Sequence, residues 1–72
     1  MEKFAEHLKI LRKEKSLTQN NMANFLECTI RHYQDIEYGK INIPSKDLIA
    51  LADYFDVSLD WLVGRSEIRK RR

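Results

Sequence analysis

The chain has 72 residues, with 13 basic and 11 acidic side chains and a formal net charge of +2. That length allows one domain, which buries only about 60% of the surface its unfolded chain exposes, and the lone Cys28 excludes an internal disulfide. The longest apolar run falls far short of the roughly 20 residues that span a bilayer. No apolar leader is evident, so the sequence points to a reducing cytoplasm and away from membranes.

Two glycines, one proline and no period-two alternation of β-branched residues give strands little support. Helices are read instead. The first carries Phe4, Leu8 and Leu11 on one stripe, at spacings of four and three, and stops near Lys15 and Ser16. The second starts at Thr18, whose hydroxyl can accept from an orphan amide of the first turn. Leu17 and Met22 make a hydrophobic staple, and Met22, Phe25 and Leu26 form the stripe to be buried. Thr29 repeats the cap for the third helix, with Cys28 packing on Tyr33; Tyr33 and Ile36 face the core, and Gly39 supplies the stop. Pro44 and Ser45 open the fourth, with Ser45 as cap, Asp47 near the positive end of the dipole, and a stripe of Leu48, Leu51, Ala52 and Phe55. The fifth starts at Ser58, with Val57 and Leu62 as staple, Trp61 beside them and Gly64 as its end. The fold class is therefore all-α, a compact five-helix bundle over residues 1–64.

Charge is segregated along the chain. Residues 65–72 hold five basic side chains (Arg65, Arg69, Lys70, Arg71, Arg72) against Glu67, a net of +4, which leaves −2 on residues 1–64. With Ile68 as its only apolar anchor, this segment reads as a flexible basic tail. Lys9, Arg12, Lys13 and Lys15 lie close together, while Asp47, Asp53, Asp56 and Asp60 gather in the second half, a pattern that favours a one-sided field.

The second and third helices are joined by about three residues, Glu27 to Thr29. So short a connection forces a large crossing angle, the geometry of a helix-turn-helix whose second helix can enter the DNA major groove. In this setting LRKEKSLTQNNMANFL, then IEYGK, then PSKDLIALADYFDVSLDWLVGR resemble the Cro/phage-repressor type of helix-turn-helix domain, also called the xenobiotic-response-element family. The resemblance runs from Phe4 to Arg65. It implies a lambda-repressor-like bundle that binds double-stranded operator DNA through helix three, as a homodimer on two-fold sites, in a transcriptional regulator that acts as a repressor.

The resemblance also distributes roles. Gln19, first in helix two, matches a phosphate-contacting glutamine, with Thr18 before it; Thr29 matches a capping residue that also touches phosphate. Ile30, Arg31 and Asp35 match positions facing base edges. A guanidinium at Arg31 can bond both O6 and N7 of guanine, Ile30 suits the thymine methyl, and Asp35 either accepts from a cytosine amine or orients Arg31. His32 and Gln34 stand at the edges of that face, and Lys40 and Asn42 just beyond it meet phosphate. Arg12 and Glu37 match a structural ion pair joining helix one to helix three. Two departures concern turns: Glu27 and Ser16 stand where relatives often carry glycine or another residue tolerant of a left-handed backbone.

The expected dimer leans on apolar Trp61, Leu62 and Val63 near the C-terminal end. No second domain for sensing a ligand is expected, nor any cofactor, metal or small-molecule ligand. Catalysis or metal binding would need Cys28 and His32, four apart, but His7 is the only other histidine, and no second pair completes a site. The remaining rivals are an antitoxin or a protein-binding helix-turn-helix module, favoured by the −2 charge of residues 1–64.

Overall fold

The computed structural model describes residues 2–71, and these fold into α1 (Glu2–Glu14), α2 (Gln19–Phe25), α3 (Ile30–Glu37), α4 (Ser45–Phe55) and α5 (Leu59–Leu62). All regular structure among them is helical apart from one isolated antiparallel bridge between Val57 and Lys70. No helix among the described residues is long and apolar enough to cross a membrane. Phe4, Leu8 and Leu11 of α1 meet Met22, Tyr33, Ile36, Leu51, Phe55 and Leu62 in a single core.

The caps explain where the helices begin. Thr18 Oγ1 accepts from the Asn21 amide at 3.0 Å while Asn21 Oδ1 accepts from the Thr18 amide at 2.9 Å, a reciprocal pair that satisfies two orphan donors. Thr29 Oγ1 accepts from the His32 amide at 3.1 Å, and Ser58 Oγ from the Trp61 amide at 3.3 Å. At α4 the expectation needs correction. Ser45 is the first helical residue, Pro44 holds the cap position in an extended conformation, and no side chain caps the helix. Proline's fixed φ already suits that place.

All five helices end alike. The amide five residues on returns to a last-turn carbonyl: Leu17 to Arg12, Cys28 to Ala23, Lys40 to Asp35, Val57 to Ala52 and Arg65 to Asp60. Each closure sets the preceding residue left-handed, namely Ser16, Glu27, Gly39, Asp56 and Gly64. Gly39 and Gly64 adopt this at no steric cost; Ser16 and Glu27, both at φ 56°, and Asp56 do not.

Three expectations meet a different outcome. Phe25 ends α2 exposed, its ring 4.7 Å from that of Tyr54, and Ala23 takes the buried place beside Met22. Trp61 and Leu62 belong to the core and Val63 is half-buried, so these three offer little surface to a second copy. The basic C-terminal segment, expected to be free of the body, lies back along α5: the Ser58 amide donates to the Arg69 carbonyl at 2.9 Å. Arg72, its last residue, lies outside the described residues.

Candidate nucleic-acid interface

α3 is held to the body by Tyr33 and Ile36, both buried. At about 100° per residue, Arg31, Asp35 and Tyr38 then fall at the pole away from the core. Ile30 and Gln34 fall on the flank toward α1 and α2, and His32 on the other flank. Arg31 is the freest, with 82% of its side chain exposed, and its Nε lies 3.9 Å from Asp35 Oδ1. The carboxylate one turn on stands at the outer limit of an ion pair and leaves the guanidinium open to solvent. Lys40 and Asn42 are exposed in the connection to α4.

A hydrogen-bonded chain links this face to the interior. Arg12 Nε and Nη2 donate to the two oxygens of Glu37, both at 2.9 Å, and Arg12 Nη1 donates to the Leu17 carbonyl at 2.9 Å. Gln19 Nε2 reaches Glu37 Oε1 at 3.5 Å, and Gln34 Nε2 donates to Gln19 Oε1 at 3.1 Å. So α1, α2 and α3 are joined through Glu37, whose side chain is fully buried, and Gln19 is oriented from both sides. Burial is the strongest single influence and would push the Glu37 carboxyl up, but the Arg12 hydrogen bonds, the guanidinium charge and the contact from Gln19 act together to hold the group below its ordinary range. The bonds to Glu37 hold Arg12 above its own. The Tyr33 hydroxyl is buried beside the Arg12–Glu37 pair without a partner at hydrogen-bonding geometry among the described residues, and burial foremost, with the Glu37 carboxylate, pushes it far above the usual phenol range.

Sequence reasoning missed some of the site. Between α1, the start of α2 and the end of α3 runs an open cleft of about 610 Å³ whose walls include Lys9, Lys13, Thr18, Gln19, Asn20, Ile30 and Tyr38. Ile30 lines this cleft. Lys9 and Lys13, one turn apart on α1, join no ion pair among the described residues. Their spacing relative to Arg12 was a signal available in the sequence. Tyr38, 58% exposed at the C-cap of α3, gave none, because its place depends on where the helix ends.

Burial, with a smaller effect of Asp47, pushes the Cys28 thiol up, away from a reactive thiolate. No group of three His, Cys, Asp or Glu side chains able to hold a metal occurs among the described residues.

A short α2–α3 turn, a third helix anchored by two core residues and a polar outward face on that helix together define a helix-turn-helix domain. A model of the helix-turn-helix family matches residues 8–62, and the chain belongs to that family, in its xenobiotic-response-element type. Among curated proteins it is similar to the uncharacterized HTH-type transcriptional regulator YqaE of Bacillus subtilis (strain 168), 45% identical over 60 residues, covering 83% of this chain and 52% of the relative. It is also similar to YonR, an SPbeta prophage-derived uncharacterized HTH-type transcriptional regulator of the same organism, at 38% over 60 residues, 83% of this chain and 56% of the relative. The chain thus spans about half the length of the curated relatives it matches. No solved structure gives a significant match.

Proposed function

We propose that this chain binds operator DNA in a sequence-specific manner and represses transcription, with α3 in the major groove. The observation that carries the reading is the outward face of α3, where Arg31 stands exposed near Asp35, beside the oriented Gln19. In this reading Arg31 bonds the O6 and N7 of a guanine. Asp35 keeps it in register, Ile30 meets a thymine methyl, and Gln19, Thr18, Thr29, Lys40 and Asn42 hold phosphates, with His32 and Gln34 at the margins. No step is catalysed. A homodimer on a two-fold site is part of the proposal, its contact surface lying elsewhere than Trp61 and Leu62. The alternative is an antitoxin or a protein-binding module, and the −2 charge of residues 1–64 favours the latter. Against it stand the exposed Arg31 on α3 and the Lys9 and Lys13 side chains lining the neighbouring cleft.

Selection from random duplex DNA tests both readings, and half-sites one helical turn apart would accompany a dimer. On the selected site Arg31→Ala should lose about 1–3 kcal/mol and relax preference at one base pair. Equal loss on selected and random DNA would overturn the role given to Arg31, and no enrichment at all would favour the protein-binding module.

A further inference from the structure

The segment after α5 lies outside the residues 8–62 matched by the family model. Arg69 donates through Nη1 and Nη2 to the two carboxylate oxygens of Glu14 in α1, the first at 2.9 Å. Its guanidinium carbon lies 5.1 Å from the centre of the Trp61 indole, on which the His7 ring also stacks at 3.9 Å. Arg71 Nη2 donates to Asp53 Oδ1 in α4 at 2.6 Å, and its Nε lies 3.9 Å from Asp56 Oδ1 just after that helix. The Ser58 amide and the Val57–Lys70 bridge add backbone pairing. Apolar burial contributes little, since Ile68 is 54% exposed. The segment is held by ion pairs, a cation over an aromatic face and a short backbone contact.

Exposed ion pairs are individually weak and are screened by salt. Hydrogen bonding to Arg69 holds the Glu14 carboxyl below its ordinary range, which agrees with a formed pair. At about 100° per residue, Glu14 lies roughly 200° round α1 from Arg12, which faces α3. Arg69 is therefore held on the flank of α1 opposite the candidate interface, and Arg71 on α4. Fully extended, residues 65–71 reach roughly 23–25 Å, comparable with the body's shorter dimensions of 22 and 19 Å.

We propose that residues 66–71 are an ionic strap for which the body acids Glu14, Asp53 and Asp56 compete with the phosphate backbone of DNA. Docked, the strap ties α1 to α4 and α5 and pairs Arg69 and Arg71 with acids of the body; released, it adds phosphate contacts beyond those of the helix-turn-helix. The competition rests on the DNA-binding reading above, whereas the docked state does not.

The test uses the full chain, its single tryptophan and a short random-sequence duplex. Glu14→Gln removes the partner of Arg69; Asp60→Asn makes the same change of charge at an acid that joins no ion pair among the described residues. With the helical signal in circular dichroism unchanged, the Trp61 emission of E14Q at low salt should match that of the original chain at high salt, while D60N keeps the low-salt value. E14Q should bind the duplex several-fold more tightly than D60N, with a salt slope steeper by about 1–2, at ~0.9 per added phosphate contact. Equal emission and equal affinity in the two variants would overturn the strap. Salt-dependent emission with no duplex binding by any of the three proteins would overturn the competition together with the DNA-binding reading.

Discussion

Replacing Arg12 by alanine should be among the most damaging single changes in this domain. The substitution leaves the Glu37 carboxylate fully buried, with the long contact from Gln19 as its remaining hydrogen bond. Stranding one member of a buried pair costs about 3–5 kcal/mol. A 72-residue domain has about 4–11 kcal/mol in total at ordinary stability per residue. The variant should therefore lose at least about 12 °C in Tm, at 4–8 °C per kcal/mol for this size, and should be partly unfolded near room temperature at the lower end of that range. Thermal circular dichroism followed across pH checks the cause. In the original chain the folded Glu37 carboxyl is held low, so its contribution is present above the unfolded value near 4.3–4.5 and is lost as pH falls through the folded one. In Arg12→Ala burial acts without the guanidinium, the folded value rises above the unfolded one, and the sign inverts. The variant should regain stability relative to the original as pH is lowered toward 5. Arg12→Met with Glu37→Leu, which removes both charges, should recover much of the loss. A cost below about 1 kcal/mol for Arg12→Ala, with no pH inversion, would mean the pair behaves as a solvated surface contact and would refute the reasoning.

Glu27→Gly should stabilise by about 0.5–1 kcal/mol in urea denaturation, because relief of a left-handed residue exceeds the added entropy of the unfolded chain. Asp56→Gly should gain less, since aspartate tolerates that conformation better, and any loss at Glu27 would contradict the account of the turns. Gly64→Ala should cost at least 1–2 kcal/mol: its φ is +86° and an added Cβ would come within 2.6 Å of Lys3 Cβ. Tyr33→Phe should be neutral or stabilising by up to about 1 kcal/mol, because the hydroxyl is buried without a partner. A loss of more than 1 kcal/mol there would place a hydrogen bond at Tyr33.

What could be read in advance was what local chemistry encodes. Thr18, Thr29 and Ser58 mark helix starts because each hydroxyl meets an amide three residues on, and the stripe of Phe4, Leu8 and Leu11 fixes one face of α1. Glu27 and Ser16 stood out as awkward for their turns, and both are left-handed. Asp56 escaped notice because helix four offered no glycine to mark its end. The rest depends on tertiary placement. The contact of Gln34 with Gln19, fifteen residues apart, follows from the crossing of α2 and α3, which spacing alone does not set. Arg69 meets Glu14 across 55 residues, a pairing that a tail of five basic residues gave no reason to choose. Trp61 illustrates the opposite error: apolar residues near a chain's end suggested a contact between copies, but the small core had already enclosed them.

The chain of bonds from Arg12 through Glu37 to Gln19 and Gln34 has a genetic consequence. Under the DNA-binding function proposed above, lesions in its buried half need never contact an operator to spoil recognition, since they release Gln19 and loosen α3 as the fold weakens. In a screen for lost regulation, changes at Arg12 and Glu37 should emerge as heat-sensitive alleles that recover on cooling. Changes at Arg31 should be deficient at every temperature. Sorting alleles by this criterion would separate scaffold from reading surface without solving another structure.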